Sequence, residues 1–299
     1  MAGTADTDQL TVRTHDGRQL EVLVTGPPDG LPLVFHHGTP GGVAVYQPMA
    51  KAAGARALRL VLYARPGYGA STPLSGRLVA DAASDVAAIL DELGAHRFVT
   101  AGWSGGGPHA LACARLLSRR CMAAASLAGP APYPARGLNW MAGMGDDNVG
   151  EFTAAMKGQS ELATVLDSIA SVLRDIDGAQ LAKGLGDLVS QADRDALHGD
   201  LADYVASLFR AGLAGGTAGW RDDDLAFVRD WGFSPIAPGD AAPLAIWQGD
   251  QDFMVPVTHG EWLARHIPAA RAHLMAGTGH LSLPFDAIFD DLLELAGAR

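Results

Sequence analysis

Over the first 130 residues, short and almost uninterrupted apolar runs alternate with stripes of helical period. Residues 31–35, 58–63 and 97–103 are such runs. A strand inside a parallel sheet is covered on both faces, so its apolar residues are consecutive rather than alternate. Residues 20–24 and 123–127 add two further strand candidates. Between the runs, Val79, Ala83, Val86, Leu90 and Leu93 recur at helical spacing, and Gly94 follows where a helix would stop. Strands alternating with helices of this length predict a parallel sheet with crossover helices.

The pattern changes near Gly129. From there to Asp240 the chain reads as helices, with no convincing buried strand. Leu162, Val165, Leu166, Ile169, Val172, Leu173 and Ile176 make the strongest stripe, and Leu201, Tyr204, Val205, Leu208 and Leu213 a second. Strand character returns at 243–248 and 272–275, and helical character at 259–267 and 285–296. The expected fold class is α/β, a mostly parallel twisted sheet flanked by helices. Residues 1–130 and 240–299 form its core, and residues 131–239 form a helical insertion placed over the site as a cap.

Charge changes the picture of partners. The chain carries a net −11 at pH 7. Sixteen acidic and seven basic residues between Met141 and Gly232 put −9 of it in the insertion. A nucleic-acid binder needs a basic face, and anionic membranes attract basic segments, so neither partner is expected. A small-molecule substrate is. Residues 1–10 show no basic region followed by an apolar run, and no stretch is apolar for long enough to span a bilayer. A cytoplasmic location is therefore expected. Cys113 and Cys121 are the two cysteines, and both sit near alanines, as buried inert thiols do.

The candidate chemistry centres on Gly102-Trp103-Ser104-Gly105-Gly106, between the run 97–103 and a helical pattern from about Pro108 to Leu117. A serine on a sharp strand-to-helix turn presents its hydroxyl only if its neighbours are small. The helix N-terminus beneath it supplies free N–H groups and a positive dipole end, suited to a developing oxyanion. A serine hydroxyl also needs a base, and the base an orienting acid. His280, in a loop between the last strand and the last helix, is the base candidate. Asp250 and Asp252 both follow the penultimate strand, and either qualifies as the acid by its chemistry. A second oxyanion donor is expected from the glycine-rich loop His36-His37-Gly38-Thr39-Pro40-Gly41-Gly42 after the run 31–35. Its two histidines point to opposite sides of an extended chain and have no acidic or thiol neighbours, so a metal site is not expected. No cofactor is called for.

These residues together resemble the α/β-hydrolase superfamily, specifically its capped members. The resemblance covers about residues 10–130 and 240–299. It implies that the amides of Thr39 and Gly105 bind the oxyanion. It also implies that Asp252, in Gly249, Asp252, Val255 and Pro256, is the acid in preference to Asp250. Arg65-Pro66-Gly67-Tyr68-Gly69-Ala70-Ser71 is similar to the family's segment after the fourth strand, except that Tyr63 stands where the family often carries an aspartate. Haloalkane dehalogenases and epoxide hydrolases place aspartate at the nucleophile position. Ser104 there implies acyl chemistry on an ester, thioester, amide or related carbonyl, with perhydrolase-type chemistry also open.

For the substrate, an acidic cap suggests a cationic one. The loop 37–42 has some similarity to that of proline iminopeptidases, which makes an aminopeptidase one alternative. A weakly catalytic ligand-binding receptor on the same fold is another. His37, Trp103 and Met254 are candidates for the pocket wall. The aromatics Trp140, Trp220, Trp231 and Phe233 would line it or pack within the cap. The run Asp222, Asp223 and Asp224 is expected in an exposed loop or a helix first turn.

Overall fold

The computed structural model describes residues 7–236 and 240–298. Its strands are β1 (Thr7–Arg13), β2 (Gln19–Thr25), β3 (Leu31–His36), β4 (Leu58–Tyr63), β5 (Phe98–Trp103), β6 (Cys121–Leu127), β7 (Leu244–Gly249) and β8 (Arg271–Met275). They form one sheet in the order β1-β2-β4-β3-β5-β6-β7-β8. The pairs β1–β2 and β2–β4 are antiparallel, and every pair from β4–β3 to β7–β8 is parallel. The α/β class and the mostly parallel sheet are as the apolar runs predict. The run 58–63 is β4 to the residue.

The helices are α1 (Gln47–Gly54), α2 (Ala82–Glu92), α3 (Gly107–Leu116), α4 (Asp146–Lys157), α5 (Gln159–Leu173), α6 (Gly178–Gly184), α7 (Gln191–Ala196), α8 (Gly199–Leu213), α9 (Ala218–Phe227), α10 (Val257–His266) and α11 (Phe285–Leu295). The central strands divide their side chains between two cores, because successive residues point to opposite faces. Val34 and Val61 join residues of α2, α3 and α10 on one face. Leu33, Phe35, Leu60 and Leu62 join Met49 of α1 and Ile288, Phe289 and Leu292 of α11 on the other. Gly94 ends the α2 segment with φ of 64°, the left-handed geometry that a glycine stop supplies.

Helices α4 to α9 all lie between β6 and β7. Leu162 and Leu166 of α5 are fully buried, each worth roughly 2 kcal/mol of apolar burial. They pack with Ala155, Leu213 and Trp220, and with Ala64 and Tyr68 from the segment after β4. A second cluster joins Leu181, Leu197, Tyr204, Val205 and Leu208 to Leu281, which follows β8. The insertion therefore packs on segments leaving the carboxyl ends of the parallel strands. Those ends are where loops from several strands converge in an open α/β sheet. The expected return to the core at 239–240 borders residues 237–239, and part of the polar stretch 1–10 lies in residues 1–6; both segments are outside the described residues. Among the described residues, no helix is long and apolar enough to cross a membrane. Cys113 and Cys121 are buried and free, and burial pushes the Cys121 thiol up to about 12.

Candidate active site

Ser104 stands at the end of β5, on a 3₁₀ turn (Ser104–Gly106) that leads into α3. Its φ is 56°, a left-handed conformation that L-residues with side chains rarely adopt. Two glycines make the turn possible. A Cβ on Gly102 would lie 2.0 Å from the carbonyl oxygen of Gly106, and one on Gly106 would lie 2.2 Å from that of His36. Strand, turn and helix thus cross at backbone contact, which only glycine allows. Pro108, in the first turn of α3, suits a position whose N–H has no helical partner. Nδ1 of the buried His109 lies 2.9 Å from the Gly105 carbonyl, holding the turn from below.

Asp252 and His280 come from different loops and meet in the interior. His280 Nδ1 is 2.8 Å from Asp252 Oδ2. The same oxygen accepts from Gln248 Nε2 at 2.9 Å, and Oδ1 accepts the backbone N–H groups of Met254 and Val255 at 2.9 and 2.8 Å. A carboxylate that accepts all these bonds requires a donor at His280, so the imidazole proton sits on Nδ1 and leaves the Nε2 lone pair free. Burial is the largest effect and lowers the His280 pKa, but the charge and hydrogen bond of Asp252 and the charge of Asp193 together outweigh it, and the net shift is upward. The histidine loop is also fixed through its backbone. Trp103 Nε1 donates to the His280 carbonyl at 3.1 Å, and buried Asp193 of α7 accepts the Leu281 N–H at 2.7 Å. Asp250 lies apart from this pair. It accepts the Gly277 N–H at 2.7 Å and is exposed, so it closes a turn.

Ser104, Thr39 and Gly105 share the wall of a cavity of about 420 Å³. Thr39 and Gly105 are in close approach, since a Cβ on Gly105 would fall 2.2 Å from Thr39 Oγ1. Of the residues expected on the pocket wall, Met254 is there, and so are Trp140 and Trp220. His37 and Trp103 are not. His37 is buried behind the loop, with Nδ1 2.7 Å from the Gly38 carbonyl and Nε2 accepting the Arg65 N–H at 3.3 Å. Trp103 packs between Gly38 and the His280 backbone, so its neighbour Ser104 faces the cavity while the indole does not. Trp231 and Phe233 belong to the sheet core instead.

The expectation for Asp222, Asp223 and Asp224 is also corrected. They occupy the middle of α9 and all three are buried. Asp223 is the hub of an ionic cluster. It accepts from Arg65 Nη2 and Arg77 Nη1, each at 2.6 Å, from the Tyr68 hydroxyl at 2.8 Å and from the Thr39 hydroxyl at 2.8 Å. Burial would raise its pKa, but Arg65 and Arg77 hold it well below the usual carboxylate range. Arg65 also donates to the His37 carbonyl at 2.6 Å. The cluster thus locks the oxyanion-loop candidate to the insertion. Asp222 pairs with Arg221 at 2.9 Å. Asp224 is on the cavity wall with Glu151 of α4. Local charge patterning read these aspartates as solvated, because their partners Arg65 and Arg77 lie some 150 residues earlier and Glu151 some 70.

A serine on a strand-end turn and a buried His–Asp pair thus lie on one mostly parallel sheet. The chain belongs to the alpha/beta hydrolase fold family, whose model matches residues 32–287. It is 36% identical over 98 residues to the non-heme chloroperoxidase of Streptomyces lividans, a match that covers 32% of this chain and 36% of that protein. The chain thus spans about a third of the length of the curated relative it matches. Among solved structures it resembles a thermophilic esterase from Thermogutta terrifontis, with a TM-score of 0.69, 19% identity, and 97% and 99% of the two chains covered. It also resembles an enol-lactonase from Burkholderia xenovorans, with a TM-score of 0.70, 18% identity, and 96% and 100% covered. At these identities the structural likenesses speak to the fold.

Proposed function

We propose that the protein is a serine hydrolase acting on a small acyl compound, a carboxylic ester above all, with Ser104 as nucleophile, His280 as base and Asp252 as the orienting acid. The observation that carries the reading is the buried His280–Asp252 pair, whose tautomer leaves Nε2 as the basic nitrogen. In this mechanism Ser104 Oγ attacks the substrate carbonyl while His280 Nε2 takes its proton. The amides of Thr39 and Gly105 hold the oxyanion, a contribution worth about 3–4 kcal/mol per donor in comparable sites. The imidazolium, stabilised by Asp252, gives its proton to the leaving alcohol as the C–O bond breaks. Water then attacks the acyl-serine with His280 again as base, and Ser104 is released. The helices between β6 and β7 act as a cap that keeps bulk water from the acyl-enzyme.

Similarity to the chloroperoxidase favours one variation on the last step. Hydrogen peroxide in place of water would attack the same acyl-serine and release a peracid. A panel of p-nitrophenyl esters and thioesters tests the main reading. Multiple turnovers on short-chain esters are expected, with Ser104→Ala lower by about 10⁴-fold or more. Stoichiometric acylation without turnover would instead make the protein a binder.

A further inference from the structure

Among the described residues, the cavity wall that carries Ser104 also carries three acidic ones, Asp147, Glu151 and Asp224, and no lysine, arginine or histidine. Asp224 is the unusual member. Its side chain is fully buried, and among the described residues no N–H or hydroxyl donates to either carboxylate oxygen; the polar group beside it is the Glu151 carboxyl. Leaving such a group unpaired is costly, by about 1–3 kcal/mol or more for a charge. The nearby cations are committed elsewhere. Arg77 directs its two terminal nitrogens to Asp223 and to the Gly219 carbonyl, and Arg221 pairs with Asp222. Glu151 has one oxygen held by Trp220 Nε1 at 2.8 Å. The two carboxyl groups lie within hydrogen-bonding reach of each other; burial raises both, and for Asp224 the charge of Glu151 adds to the effect. A proton held between them satisfies one bond and leaves the remaining Asp224 oxygen without a donor beside the cavity wall.

We propose that Glu151 and Asp224 bind a primary ammonium group on the substrate, so that the cavity takes amine-bearing acyl compounds. An ammonium offers three donors and a compensating charge. The Glu151 oxygen not held by Trp220 would take one of those donors, and the fully buried Asp224 carboxyl beside it would back the positive charge. Trp140, Phe152, Trp220 and Phe227 line the same cavity and offer aromatic faces, which favour a cation over a neutral group of equal size. The proposal deepens the hydrolase reading and rests on it for the identity of the ligand as substrate.

Binding to the Ser104→Ala protein tests it without turnover. Calorimetry at pH 7 would compare benzylamine, which is protonated, with benzyl alcohol, which has nearly the same shape. The expected result is benzylamine tighter by about tenfold or more. In the same background, Glu151→Gln and Asp224→Asn are near-isosteric, and circular dichroism verifies their fold. A fall in the benzylamine preference of about threefold or more in either variant supports the site. Equal affinity for the two ligands, or a preference that both variants keep, overturns it. Amine preference with no hydrolysis of any ester would leave this site standing and remove the hydrolase reading. Hydrolysis of neutral esters with no amine preference would do the opposite.

Discussion

The Thr39 hydroxyl donates to Asp223 Oδ2 at 2.8 Å, joining the loop after β3 to helix α9 of the insertion. Arg65 and Arg77 complete the joint from the segment after β4. Asp223→Asn keeps the volume and removes the charge, leaving two buried guanidinium groups without their counter-ion. The expected cost is about 3–5 kcal/mol, or a fall in thermal midpoint on the order of 10 °C. Because Arg65 and Arg77 lower the Asp223 pKa, its stabilisation is full above the ordinary value of 3.8 and is lost only as pH falls through the depressed one. Thermal unfolding followed by circular dichroism measures the change. An unaltered midpoint would mean that the cluster does not hold the two parts together.

Asp252 and Asp250 are two residues apart and have different surroundings. Asp252→Asn would place an amide against His280 Nδ1 and favour the wrong tautomer, with an expected loss in kcat of about 10⁴-fold. Asp250→Asn disturbs only the turn at Gly277 and is expected to change kcat by less than about threefold. Steady-state kinetics on one ester compares them. The reverse ranking would transfer the acid role to Asp250.

His280 must be neutral to take the Ser104 proton. The charge and hydrogen bond of Asp252, with the charge of Asp193, together outweigh the effect of burial and raise its pKa above 6.5. The kcat/KM profile should therefore fall on its acid side, with an apparent pKa above 6.5. A limb centred below that value would show that a different group, or an unpaired histidine, governs the rate.

Asp224 has the opposite linkage to Asp223. Burial, then the charge of Glu151, raises its pKa above the ordinary 3.8, so the folded protein retains a proton that the unfolded chain loses. Its contribution to stability is present below 3.8 and is lost as pH rises toward the raised value. Asp224→Asn cannot ionise. It should match the parent near pH 3 to 4 and become the more stable of the two as pH rises to 7. Urea unfolding at several pH values reads the difference, and a variant less stable than the parent at neutral pH would contradict the assignment.

Much of this architecture was legible in the apolar runs, because strands buried on both faces are mostly apolar along their whole length. β1 was not, since it is an edge strand with mostly exposed side chains and carries little apolar signal. α1 is short, with Pro48 in its first turn, and its periodicity spans too few turns to register. Ser104, His280 and Asp252 stood out as candidates from residue types placed after strands, and the structure brings His280 and Asp252 together. What the sequence could not reveal were long-range pairings and side-chain directions. Asp223 looks like one of three solvated acids until Arg65 and Arg77 are brought to it. His37 and Trp103 stand beside site residues in sequence, but turn their rings into the supporting structure.

The central claim is that Ser104 is the activated nucleophile. The most direct measurement is intact and peptide mass spectrometry after brief exposure to a fluorophosphonate. The account predicts one phosphonyl adduct per chain, located on Ser104, absent in Ser104→Ala and formed far more slowly in His280→Ala. An adduct on another residue, or none under conditions in which the folded protein hydrolyses esters, would contradict it.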